Sequence, residues 1–142
     1  SEVNTNLGLL ALKSGDVKAA ETYLAAGSGA NTFNEVMGAL NVAKGNYTQA
    51  ATNMKGAKSN AAALAQILAK DYNSAKNTLN SIKNADAITS YLKAVLAART
   101  GDTGALASNF KNAIQQDATL AARAAKDLEF AKYASTIKDI VK

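Results

Sequence analysis

The segment Gly45-Asn46-Tyr47-Thr48-Gln49-Ala50 decides the fold, because copies of it recur along the chain. Three further copies stand in register with it: Gly15-Asp16-Val17-Lys18-Ala19-Ala20, Lys70-Asp71-Tyr72-Asn73-Ser74-Ala75 and Gly101-Asp102-Thr103-Gly104-Ala105-Leu106. A weaker fifth copy is Lys126-Asp127-Leu128-Glu129-Phe130-Ala131. The Asp or Asn positions of successive copies are 30, 25, 31 and 25 residues apart. Recurrence at such a period predicts a chain of repeated helical or strand-based units.

Each copy carries the signals that end one helix and begin the next. Gly15, Gly45 and Gly101 can adopt the left-handed conformation that closes a helix, and the following Asp or Asn can cap the next helix through its side-chain oxygen. Downstream comes a small residue, expected where two helices approach closely, at Ala20, Ala50 and Ala75. A larger residue follows four positions later, at Leu24, Met54, Leu79 and Phe110, whereas the fifth copy has Ser135.

The segments upstream of these turns also read as helices. Ile88, Leu92, Val95 and Leu96 have the spacing of an amphipathic helix. Alternation with a period of two is absent, and the segments are rich in Ala, Leu and Lys, which favour helix. The sequence therefore predicts an all-α fold of about ten helices, in which Asp16, Asn46, Asp71, Asp102 and Asp127 each open a helix.

The order of these residues resembles the tetratricopeptide repeat, whose consensus has Leu-Gly, Gly-Asp/Asn-Tyr, Ala and an aromatic residue in sequence. The second copy shows the resemblance best, with Met37-Gly38, Gly45-Asn46-Tyr47, Ala50, Met54 and Ala57. The resemblance implies an α-α superhelix of about five antiparallel helix pairs in one domain, 1–142. Its approximate repeats are 4–30, 31–58, 59–85, 86–116 and 117–142. It also implies that Tyr47 and Tyr72 pack between units.

The chain departs from the family pattern in several respects. Its repeats are shorter than the family's 34 residues, it has no Pro, and no copy has the early Trp. It is similar to divergent, short-repeat arrays rich in Ala, Asn and Gly that occur in bacterial cell-envelope proteins. We therefore expect the periplasm or cell envelope of a Gram-negative bacterium as its location.

The resemblance implies a concave groove, lined by the first helix of each pair, that binds a protein or peptide segment. We expect a non-catalytic scaffold whose partner meets residues on the first helices: Thr5, Leu9, Glu35, Asn60, Tyr91 and Val95. Packing between helices is an equal alternative for Leu9 and Val95. One subgroup of the family grips a carboxylate with Lys and Asn four apart on a first helix. The only such spacing here, Lys76 to Asn80, falls on a second helix, so that clamp is not expected.

Composition argues against several other functions. The chain has no His and no Cys, so the commonest general base, metal ligand and nucleophile are missing, and we expect no enzyme, cofactor or metal site. A net charge of +5 is mildly basic, but Lys is spread evenly and Arg occurs only at Arg99 and Arg123, so no nucleic-acid partner is expected. No apolar run approaches the roughly 18 residues of a membrane span.

A second function stays open, that of a structural or assembly module in a larger bacterial envelope protein. The chain begins at Ser1 rather than Met, which fits a processed chain or part of a larger polypeptide. Apolar Ile137, Ile140 and Val141 near the C-terminus also predict that this end docks on another surface.

Overall fold

The structure is a computed structural model that describes residues 7, 8, 10, 11, 13–26 and 33–141, with the backbone alone at 24–26 and 33–35. All regular structure over these residues is helical, which confirms the all-α prediction for them. Helical residues at 7, 8, 10, 11 and 13 come first. The α-helices that follow are α1 (Val17–Ala26), α2 (Phe33–Ala43), α3 (Tyr47–Asn53), α4 (Asn60–Leu68), α5 (Tyr72–Ser81), α6 (Ala87–Thr100), α7 (Thr103–Gln116), α8 (Leu120–Ala125) and α9 (Ala134–Val141). A 3-10 helix (Leu128–Tyr133) lies between α8 and α9.

A left-handed residue stands at each of the first four recurring turns. The φ angles are +84° at Gly15, +80° at Gly45 and +78° at Gly101, as the sequence predicts. At the third turn the same conformation is adopted by Lys70, with φ +64°, although its Cβ makes that conformation unfavourable. The backbone turn is therefore retained in the third copy even where the glycine is not.

The predicted opening residues each stand directly before a helix. Asp16, Asn46, Asp71 and Asp102 precede α1, α3, α5 and α7, and Asp127 precedes the 3-10 helix, which confirms their predicted positions. The Asp16 and Asp102 carboxylates accept backbone N–H groups three residues on, both at 3.0 Å. Asn46 accepts no such side-chain bond. The fifth copy also differs, because Lys126 has φ −105° and the helix after Asp127 is 3-10 rather than α.

The described chain divides into two compact units, Ser1–Asp71 and Tyr72–Lys142. In the first unit, α1 packs on α2, α2 on α3 and α3 on α4, and α2 also contacts α4. The three-residue connection between α2 and α3 makes them antiparallel neighbours. Two apolar clusters hold this unit together: Ala11, Ala20, Val36 and Leu40 form one, and Ala50, Met54, Ala62 and Ala65 form the other.

Gly38 of α2 lies directly against the side chain of Met54, the residue at which α3 ends. A Cβ atom placed on Gly38 would stand 2.5 Å from both Cγ and Cε of Met54, which is far inside van der Waals contact. Met54 is itself 2% exposed, so it has little room to move away. Gly38 and Met54, two positions of the tetratricopeptide-like pattern in the second copy, are thus in direct contact between α2 and the end of α3.

In the second unit, α6 packs on α5 and extensively on α7, to which only Gly101 and Asp102 connect it. The short connection makes α6 and α7 antiparallel neighbours. α9 contacts α7, α8 and the 3-10 helix, and the 3-10 helix also contacts α6. At the centre lie Phe110 and Phe130, with ring centroids 5.8 Å apart and both side chains fully buried.

The small residues predicted at close contacts are buried, since Ala20, Ala50 and Ala75 are each 0% exposed. The prediction that Tyr47 lies in the core is wrong, because this first residue of α3 keeps 37% of its surface exposed. Tyr72, the corresponding residue of α5, is half-buried. A tyrosine at the first position of a helix therefore reaches the interior only in part.

We expect Lys70→Gly to raise the free energy of unfolding by about 0.5–1 kcal/mol. The left-handed conformation costs a residue with a Cβ about 1–2 kcal/mol, and glycine avoids that cost. Glycine also gives the unfolded chain more conformational freedom, which lowers the stability by about 0.5–1 kcal/mol and so offsets part of the gain. Lys126→Gly is the matched control, because Lys126 has a negative φ and so relieves no strain when replaced. We expect this variant to be less stable than the original chain, owing to the greater freedom of glycine in the unfolded state. Urea titration of both variants checks the signs, and destabilisation by Lys70→Gly would contradict the assigned turn.

Candidate functional site

The six residues predicted to meet a partner do not form one surface among the described residues. Thr5 and Leu9 lie outside those residues, and of Glu35 only the backbone, in α2, is described. Asn60 begins α4 and is half-buried. Tyr91 and Val95 lie four residues apart on α6, and they are 2% and 4% exposed. Val95 therefore packs between helices, the alternative that stood equal to a partner contact, whereas Tyr91 is buried and does not lie at the edge of an open groove as expected.

Tyr91 is held inside the second unit by three contacts. Its hydroxyl donates a hydrogen bond to Asp127 Oδ2, and its ring packs edge-on against Phe130 with centroids 5.4 Å apart. The Arg123 guanidinium lies 5.2 Å from the ring centroid, within reach of a cation–π interaction. Burial raises the pKa of the Tyr91 hydroxyl, and the hydrogen bond to Asp127 raises it further. Tyr91 thus stays neutral and joins α6 to the start of the 3-10 helix.

A second polar contact joins the same two elements. Arg99 donates from Nε to Oε1 of Glu129 at 2.8 Å and from Nη2 to Oε2 at 2.6 Å, a bidentate ion pair. The hydrogen bonds to Glu129 raise the pKa of the Arg99 guanidinium. Both side chains are partly buried, at 22% and 25% exposed. These groups are engaged with each other, so they act as structural links rather than as an open binding site.

A cleft in the second unit lies over α6, between α5 and α7, and has a volume of about 320 Å³. Its floor is apolar and includes the buried residues Leu79, Leu96 and Ala97. Lysine and amide side chains line it as well: Asn73, Lys76, Asn80, Lys93 and Asn109. We call this the α5–α7 cleft.

Helical spacing explains how polar groups gather at this cleft. Asn73, Lys76 and Asn80 are three and four residues apart on α5, and residues at these spacings share one face of a helix. Lys93, Leu96 and Ala97 are brought together on α6 by the same rule. Polar side chains of α5 and α6 therefore surround an apolar floor at one opening.

Two positively charged side chains, Lys76 and Lys93, line the α5–α7 cleft. Lys76 is exposed and Lys93 is half-buried, and neither forms an ion pair with any carboxylate of the described residues. Asp102 also lines the cleft, but its carboxylate accepts the backbone N–H of Ala105 at 3.0 Å and caps α7. The cleft thus offers two uncompensated cations above apolar surface, an arrangement that suits an anionic group carried on an apolar segment.

The sequence indicated part of this cleft without assigning it. The Lys76-to-Asn80 spacing stands out, but the resemblance directs attention to first helices, and these residues lie on α5, a predicted second helix. Lys93 has no sequence signal of its own, since it lies 17 positions beyond Lys76 and meets the same cleft only because α5 packs on α6.

Two further observations concern other kinds of site. Among the described residues, no three potential metal-ligating side chains come together. Over the same residues, no helix combines the length and the apolar character needed to cross a bilayer.

Comparisons with protein-family models, with curated proteins and with solved structures found no match to this chain. The likeness to the tetratricopeptide repeat therefore rests on the residues of this chain alone.

Proposed function

We propose that this chain is a non-catalytic scaffold of tetratricopeptide type, and that its α5–α7 cleft binds an extended peptide carrying a carboxylate. Paired helices with recurrent left-handed turns and N-terminal caps support the repeat assignment. The contact between Gly38 and Met54 supports it as well, because it links two positions of the repeated pattern. The superhelical arrangement of all five pairs is part of the proposal.

The observation that carries the binding proposal is the pair of uncompensated lysines over an apolar floor. Lys93 is half-buried and Lys76 is exposed, and neither ammonium group has a carboxylate counter-ion among the described residues. A carboxylate placed between Lys76 and Lys93 would supply that counter-ion, and a hydrogen bond to a charged group contributes about 1.5–3 kcal/mol. Apolar side chains of the same peptide would cover Leu79, Leu96 and Ala97.

The dimensions of the cleft favour a short segment. α5 has 10 residues and is therefore about 15 Å long. An extended peptide advances about 3.3 Å per residue, so about four or five peptide residues can lie along this wall. The Asn73 and Asn80 amides offer both donors and acceptors, and Asn109, whose Nδ2 already donates to the Ala105 carbonyl at 2.9 Å, adds an acceptor oxygen. This set suits the backbone of a segment that forms no secondary structure of its own.

The test is selection of binders from a displayed library of random 12-residue peptides, with the full chain as bait. We expect the enriched peptides to carry Asp or Glu beside an apolar residue. Isothermal titration calorimetry with those peptides should then show at least about tenfold weaker binding to the Lys76→Gln/Lys93→Gln variant, since tenfold corresponds to about 1.4 kcal/mol.

The matched control is Lys83→Gln/Lys111→Gln, which removes the same charge from two exposed positions in the same unit that do not line the cleft. This control should bind like the original chain. Failure to enrich any peptide would refute the scaffold proposal. Equal weakening in both double variants would show that net charge, rather than the cleft, drives binding.

A further inference from the structure

A second cleft in the same unit lies between α8, the 3-10 helix and α9, with a volume of about 190 Å³. Its floor is formed by Ala124, Phe130 and Ile137, which are 2%, 2% and 4% exposed. We call it the α8–α9 cleft. It shares no lining residue with the α5–α7 cleft, so an inference about it does not depend on the function proposed above.

The rim of the α8–α9 cleft exposes apolar side chains that the fold does not use. Leu128 is 89% exposed and Val141 is 42% exposed, and both line the opening. Ala125, Ala131 and Ala134 are exposed beside them. Single apolar residues on a surface are ordinary, but Leu128 and Val141 border an opening whose floor is apolar, so an apolar segment of a partner has surface to cover there.

The charges at this rim are basic. Lys126 and Lys138 line the cleft and are exposed. The carboxylate of Asp127, which also lines it, accepts the Tyr91 hydroxyl and the backbone N–H of Glu129, so it is already engaged. A partner that covers the apolar floor therefore meets two cations at the edge, and acidic residues on that partner complement them.

We propose that the α8–α9 cleft binds an acidic amphipathic helix, whose apolar face covers Phe130, Ile137 and Leu128 and whose carboxylates meet Lys126 and Lys138. Two helices flanking a groove offer a seat for a third helix, which lays apolar residues at i, i+3, i+4 and i+7 into it. α9 has 8 residues and is about 12 Å long, so about two turns of the partner lie in contact. A second copy of this chain is a poorer match, because its own net charge is +5.

The experiment uses the full chain and a displayed library of 14-residue helices. Four Leu residues form one face of each helix, and every position flanking that face is either Glu or Lys. We expect the retained helices to be enriched in Glu at the flanking positions. The Lys126→Glu/Lys138→Glu variant should reverse that preference towards Lys, whereas the matched Lys83→Glu/Lys111→Glu variant should keep the preference for Glu.

A second variant locates the apolar contact. Leu128→Asp changes a side chain that is 89% exposed, so helical circular dichroism should stay unchanged while binding of the selected helices falls at least tenfold. The Lys76→Gln/Lys93→Gln variant should bind them normally. The proposal is overturned if no helix is retained or if Leu128→Asp binds the selected helices equally well. It is also overturned if helices selected on the Lys126→Glu/Lys138→Glu variant still carry Glu at the flanking positions. It is also overturned if sedimentation shows a dimer of this chain that Leu128→Asp dissociates, because the occupant is then a second copy.

Discussion

Replacing Tyr91 with alanine should lower the free energy of unfolding by about 3–5 kcal/mol, the range measured for removing large aromatic side chains from protein interiors. Tyr91 is 2% exposed, so truncation would leave a cavity beside Phe130 and remove the edge-to-face contact between the rings. It would also leave Asp127 without the hydroxyl that donates to it. The loss should be measured by urea titration of the helical circular dichroism signal.

Two matched variants separate the causes of that loss. Tyr47→Ala makes the same chemical change at a residue that is 37% exposed, and we expect a smaller cost of about 1–2 kcal/mol there, because more than a third of that side chain already lies in water. Tyr91→Phe keeps the ring and removes only the hydroxyl, so it should cost about 1–3 kcal/mol, the penalty for a buried group that loses its partner. A Tyr91→Ala variant as stable as the original chain would place Tyr91 on an open surface after all.

The turns and helix starts were predictable from the sequence because their causes are local. Whether Gly101 can turn left-handed and Asp102 can cap α7 depends on residues within one helical turn. The same holds for Asp16, whose carboxylate meets the N–H three residues away. Recurrence then fixes the order of the helices without any knowledge of tertiary structure.

The site at Tyr91 could not be predicted in the same way. The apolar stripe of α6 through Leu92 and Val95 places Tyr91 just off its edge, which suggests partial exposure. However, Thr89, Ser90 and Tyr91 are all buried, so α6 is enclosed on more than one face. The periodic spacing of apolar residues identifies one buried face of a helix. It does not reveal that the other faces of the same helix are also covered.

The two clefts depend on how several helices pack together, which no single helix specifies. The 3-10 helix folds back on α6 through Asp127 and Glu129, which lie 36 and 30 residues from Tyr91 and Arg99. This placement creates the floor of the α8–α9 cleft and exposes Leu128. The sequence does indicate an unpartnered apolar end at Ile137, Ile140 and Val141, but Ile137 is in fact buried in the floor.

Replacing Ala50 with leucine should lower the free energy of unfolding by about 1–3 kcal/mol, the usual cost of overpacking a closed interior. Ala50 lies in α3, is 0% exposed and packs in one cluster with Met54, Ala62 and Ala65. Three additional carbons have no free space at that position, so α3 and α4 must separate or Met54 must leave its contact with Gly38.

Ala61→Leu is the matched control for this change, because Ala61 lies in α4 next to that cluster but its side chain is exposed. Alanine and leucine differ little in helix propensity, so this variant should unfold at nearly the same urea concentration as the original chain. If Ala50→Leu is as stable as Ala61→Leu, then the small residues of the repeat are not where its helices approach most closely. The contact between Gly38 and Met54 would then be an isolated feature rather than a product of the recurring sequence, and the repeat assignment would lose its main packing support.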